Sequence, residues 1–99
     1  MKVMLRAHMD TAATNEGIKT GALPQAVKKL MDTVKPEAAY FGLHEGVRSC
    51  WIVFDLQESS DLPPLLQDLF SQNAEVEVSP VMDAAGLAKG LAAISGSPG

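Results

Sequence analysis

The sequence predicts an α+β domain in which two helices cover one side of a four-stranded antiparallel sheet. Three observations predict it. Four separate stretches alternate apolar with polar residues, the pattern of half-buried strands. Between the first and second of these, and between the third and fourth, the apolar spacing changes to that of a helix. The middle two stretches are joined by Glu45-Gly46 alone, a two-residue hairpin turn in which Gly46 supplies a positive φ. A chain of 99 residues fits one domain, and 46% hydrophobic with 20% charged residues is the composition of a folded protein.

The first strand covers residues 2–9: Val3, Leu5, Ala7 and Met9 point one way, and Met4, Arg6 and His8 the other. Residues 10–14 read as a polar loop, with Thr14 or Asn15 as the cap of the first helix. From Ile18 the apolar positions fall at 18, 22, 23, 26, 27, 30, 31 and 34, which is helical. Gly21 and Pro24 disturb its first half, so the expectation is a kink, or a short turn followed by a main helix from about Ala22. Lys35-Pro36 ends it, because the residue before proline disfavours helix.

Residues 37–44 and 47–56 are the second and third strands, rich in aromatic and β-branched residues. The turn sets their register. It pairs His44 with Val47, Gly42 with Ser49, Tyr40 with Trp51 and Ala38 with Val53 on one face. Leu43 with Arg48, Phe41 with Cys50 and Ala39 with Ile52 fall on the other, which is nearly all apolar. Ser59-Ser60-Asp61 before Pro63-Pro64 reads as a serine-capped helix start, and Asn73 suits the exit. Residues 74–81 form the last strand, with Pro80 marking it as an edge. Asp83 caps a final helix over 84–94, and residues 95–99 read as a flexible tail.

The order β-α-β-β-α-β is the ferredoxin-like pattern, here with an extra C-terminal helix, in a single domain over residues 1–94. Eight basic against twelve acidic residues give a net charge of −4, which argues against nucleic acid and anionic membranes as partners. One cysteine, Cys50, excludes an internal disulfide and a cysteine-rich zinc site, and suits a reducing cytoplasmic setting. Arg6 and His8 interrupt the apolar N-terminus, so it is no signal-peptide core, and no apolar run spans a bilayer.

Two helices leave one sheet face bare. By phase it carries Met4, Arg6, His8, Tyr40, His44, Ser49, Trp51, Val53, Glu75, Glu77 and Ser79. Tyr40 opposite Trp51 is too much aromatic surface to leave in water. Either a second copy packs there or the face lines a pocket for a small organic ligand. The element order, the length and the late strand ending Ser79-Pro80-Val81-Met82 resemble the dimeric α+β barrel superfamily, in particular its small bacterial members of unassigned function. The resemblance implies two sheets paired into a barrel. It leaves activity open, since the superfamily holds cofactor-independent monooxygenases, isomerases, haem enzymes and plain binders.

His8 is the candidate catalytic base; its bland reading is a histidine satisfied at a dimer seam. His44, beside the turn, is a ligand contact or an exposed side chain. Arg6 either clamps a carboxylate or pairs with Glu75 or Glu77. Tyr40 and Trp51 wall a planar ligand or form a buried cross-strand pair. Asp55 reads as solvated and Cys50 as inert packing. Gly86 and Gly90 let the last helix approach another helix or a second subunit. No spacing suggests a metal site, and no glycine-rich loop suggests a phosphate-bearing cofactor. The expectation is a homodimer that binds a small organic ligand on the sheet face, a candidate cofactor-independent oxygenase or isomerase. The alternative is a non-enzymatic interaction module whose sheet face is a dimer interface only.

Overall fold

A computed structural model describes residues 1–96; the end of the expected tail, residues 97–99, lies outside them. The elements are β1 (Lys2–His8), α1 (Thr11–Thr20), α2 (Ala22–Val34), β2 (Ala38–His44), β3 (Val47–Asp55), α3 (Leu62–Phe70), β4 (Glu75–Pro80) and α4 (Ala84–Ser95). The four strands form one antiparallel sheet in the order β2-β3-β1-β4. This is the ferredoxin-like arrangement, with α4 added after it.

The β2–β3 register matches the turn-based expectation pair for pair, from Ala38 opposite Val53 to His44 opposite Val47. Glu45 and Gly46 both take positive φ, 51° and 81°, which a two-residue hairpin of matching twist requires. β4 pairs with β1 alone and is an edge strand, as Pro80 indicated.

The first helix starts earlier than the sequence suggested. Asp10, rather than Thr14 or Asn15, is its cap: the Asp10 carboxylate accepts from Ala13 N at 2.8 Å. The polar run after it is the first turn of helix, because Ala12 and Ala13 favour helix once an aspartate precedes them. Thr14 is fully buried; its hydroxyl donates to Asp10 O at 2.8 Å and accepts from Arg48 at 2.8 Å. Gly21, at φ 83°, splits this helix from α2, and Pro24 falls within the first turn of α2, where its missing N–H costs nothing. The expected serine cap of α3 is also corrected. Residues Ser59–Asp61 form a 3-10 turn bracketed by Glu58 and Asp61, whose side chains each meet the other's backbone.

The core lies between the sheet and its helices. Val3, Leu5, Ala7, Cys50, Ile52 and Phe54 meet Leu30 of α2 and Leu66 and Leu69 of α3. Each fully buried side chain of this size contributes about 1.5–3 kcal/mol relative to leaving it in water. Burial pushes the Cys50 thiol above its ordinary value, only partly offset by a hydrogen bond with the Ala7 backbone, so it stays a neutral thiol. No helix among the described residues is long and apolar enough to cross a membrane.

Candidate functional site

The sheet alternation that buries Val3, Leu5 and Ala7 must turn Met4, Arg6 and His8 to the opposite face. Arg6 stands across from Trp51 on β3 and from Glu77 on β4; His8 stands across from Ser49 and Glu75. Arg6, His8, Tyr40, His44 and Trp51 therefore lie on one face, clear of the α2–α3 layer. They do not all meet.

His8 and His44 form the centre. They come from strands separated by β3, yet their rings stack at 4.7 Å between centroids with planes 24° apart. Ser49 lies beneath them, between the two strands, and is only 4% exposed. His8 Nδ1 is 3.0 Å from Ser49 Oγ, and the Ser49 hydroxyl donates to Val47 O at 3.1 Å. The hydroxyl has one proton and the carbonyl can only accept. Nδ1 accepts the Ser49 hydrogen in one tautomer; with that hydrogen on Val47 O instead, Ser49 Oγ accepts from His8 and Nδ1 carries the ring hydrogen. In the neutral ring this leaves the lone pair on Nε2, the form a general base needs. The aromatic ring of Trp51 leans toward this end: its Cζ3 lies 3.7 Å from where a β-carbon on Gly42 would stand.

Tyr40 sits opposite Trp51 as expected, but on the edge strand it is 69% exposed, so it is a loose wall rather than a packed one. Arg6 reaches Glu77, with Nη1 3.5 Å from the carboxylate. Both groups are substantially exposed, so the pair is weak, worth about 0.2–1 kcal/mol. Arg6 Nε is shielded from solvent and has no acceptor among the described residues. His44 Nε2 is 4.0 Å from Glu45, at the limit of an ion pair. No group of three or more metal-ligating side chains occurs among the described residues.

Within the single chain this face is open rather than hollow. A cleft of about 510 Å³ lies instead on the helix side, between α2 and α3. Its floor is Ala26, Leu30, Phe54 and Leu65, and the Lys29–Asp68 ion pair at 3.2 Å links its two helices. Sequence reasoning did not find this cleft. Its lining comes from α2, α3 and the end of β3, and no local pattern reports how far apart the two helices stand. Sequence reasoning also missed the part Ser49 plays: the face was legible, but the partner of His8 depends on the β1–β3 register.

No family model matches the sequence, and no curated protein matches it. Solved structures do resemble it. The de novo designed protein Ferredog-Diesel superposes with a TM-score of 0.50 at 8% identity, over 81% of this chain and 85% of that one. Likeness at such low identity shows the fold alone, and that fold is ferredoxin-like. MupZ from Pseudomonas fluorescens aligns over 97% of this chain and 84% of its own at 16% identity, but with a TM-score of 0.41 it carries no argument.

Proposed function

We propose that the chain works as a homodimer that binds a small organic molecule over the open sheet face, with His8 as the proton-accepting group. One observation carries this reading. His8 Nδ1 lies 3.0 Å from the buried Ser49 hydroxyl, which also reaches Val47 O, and with the Ser49 hydrogen on Val47 O the ring keeps Nε2 bare, on a face that no element among the described residues covers. Arg6 supports it, since its partly exposed guanidinium stands across from Trp51 on the same face and offers N–H donors to a polar substituent of the ligand. Trp51 and Tyr40 supply the walls, and His44 confines the imidazole from one side. The chemistry suited to such a site is abstraction of a proton from carbon, the opening step of a cofactor-independent isomerase or oxygenase. The pairing follows the resemblance to dimeric α+β barrels and their small bacterial members; the second copy supplies the wall that the single chain lacks. A cytoplasmic setting belongs to the same reading, with Cys50 as a buried free thiol.

Native against denaturing mass spectrometry of freshly purified protein tests it. The expected result is a dimer that retains a reproducible small mass, lost on denaturation. Trp51→Ala then weakens ligand binding while the dimer persists. If the same change dissociates the pair and no bound mass is ever found, the face is an interaction surface alone.

A further inference from the structure

Nothing in the sheet-face site uses the cleft between α2 and α3. Two facing stripes build it: Ala26, Leu30 and Thr33 recur about one turn apart on α2, as do Asp61, Leu65 and Asp68 at the start of α3 and along it. Leu30 and Phe54, 4% and 2% exposed, belong to the core, so the floor is fixed by packing rather than by loops. Above them the half-buried Val34, Leu56 and Leu65 supply apolar walls. A volume of about 510 Å³ with an apolar lining and a polar mouth has the size and character of a small-molecule site.

The charges at the mouth are only partly satisfied. Lys29 and Asp68 hold each other at 3.2 Å. Asp55 binds the Met1 ammonium at 2.8 Å and accepts from Gln57 Nε2 at 2.5 Å. Lys35 has no ion-pair partner among the described residues. Asp61 accepts from the Glu58 backbone at 3.3 Å and likewise meets no cation among them. α2 joins the parallel strands β1 and β2, and α3 joins β3 and β4, which run the other way, so the two helices are antiparallel. The end of α2 therefore stands by the start of α3. Lys35 caps the one and Asp61 the other, so two unlike, unpaired charges lie at the same end of the cleft, on its two sides. Lys35 also holds φ 46°, a conformation that glycine adopts at lower cost, so the backbone is strained to carry a lysine there.

We infer that this cleft is a second ligand site, apart from the sheet face, and that it takes an α-amino acid with an apolar side chain. Such a molecule carries one positive and one negative group on a single carbon, the complement of Lys35 and Asp61 at one end of the cleft. Its carboxylate meets the Lys35 ammonium, whose flexible four-carbon stem reaches across the mouth. Its ammonium meets the Asp61 carboxylate in a charge-assisted hydrogen bond. Its side chain runs inward between Val34, Leu56 and Leu65, toward Leu30 and Phe54. A simple carboxylate leaves Asp61 without a cation and faces the other aspartates of the lining, and a simple amine stands against Lys35 with nothing to offset it. This site depends neither on pairing of two chains nor on His8.

The test is amide chemical-shift titration of the full, isotope-labelled chain with L-phenylalanine and L-leucine. Phenethylamine and 3-phenylpropionate, which keep the phenylalanine skeleton but carry one charge each, are the controls. The expected result is saturable shifts at Leu30, Lys35, Leu56 and Leu65 with an amino acid, and at least ~10-fold weaker binding of either control. Lys35→Gln, at an exposed position, lowers affinity for the amino acid about 10-fold and does not lower that for phenethylamine. Asp61→Asn keeps an acceptor for the Glu58 N–H, lowers amino-acid affinity to a similar degree and does not lower that for 3-phenylpropionate. Both variants keep the wild-type circular dichroism. A control that binds as tightly as the amino acid overturns the inference, as does the absence of any shift in the cleft at ~20 mM amino acid. Shifts confined to His44, Ser49 and Trp51 also overturn it, and in that case favour the sheet-face site instead.

Discussion

Replacing Ser49 by alanine removes the hydroxyl that fixes His8. In the structure that hydroxyl makes two bonds, one with His8 Nδ1 at 3.0 Å and one with Val47 O at 3.1 Å. A neutral hydrogen bond is worth about 0.5–1.5 kcal/mol net, so losing the first should cut the preference of His8 for the Nδ1–H form about two- to tenfold. Losing both should lower unfolding stability by about 1–3 kcal/mol. Long-range proton–nitrogen correlation spectra of the imidazoles, recorded well above the ordinary histidine pKa of ~6.5, report the tautomer directly. The expected wild-type spectrum shows His8 protonated on Nδ1, and Ser49→Ala shows a shift toward Nε2–H. If the wild-type ring already carries its proton on Nε2, the chain of reasoning from Val47 through Ser49 to a bare Nε2 is refuted, and His8 loses its claim as a base.

Three other substitutions probe the rest of the molecule. Glu77→Gln removes a weak, exposed partner of Arg6; unfolding stability should change by less than about 1 kcal/mol, while binding of a carboxylate probe such as benzoate, followed by chemical-shift titration, should tighten. Gly17→Ala sets a β-carbon against Gln72 Oε1 and 3.1 Å from Leu23 Cβ; thermal unfolding should reveal a loss of about 1–3 kcal/mol, and an unchanged midpoint would mean that Gln72 simply swings away. The Cys50 thiol sits above its ordinary value of 9.0, so the folded state holds its proton more tightly than the unfolded one. Its contribution to stability is complete below pH 9.0 and declines as pH rises through the folded value; denaturant midpoints against pH, compared with Cys50→Ala, should show this decline in the wild type alone.

What the sequence makes legible is what lies close along the chain. Glu45-Gly46 dictates every β2–β3 pair because the constraint is two residues long. The two sheet faces follow from alternation alone, which is why Arg6, His8, His44 and Trp51 fall on one face by sequence phase. The stack of His8 on His44 is not legible, because it depends on β1 meeting β3 at one register, and no turn joins them. The start of α1 is misplaced because Thr11 and Asn15 are polar, and polarity alone does not distinguish a loop from a solvated first turn. Nor does periodicity report that α2 and α3 part to leave a cleft. Spacing shows which faces are apolar, not how far apart two of them come to rest.

The two borders of the sheet are unlike in chemistry. β4 carries Glu75 and Glu77 and ends in Pro80, so its open amides are guarded by like charges and a residue that cannot donate. β2, Ala-Ala-Tyr-Phe-Gly-Leu-His, has no charged residue other than the terminal histidine when protonated. A stray chain therefore finds a docking strand on one side only.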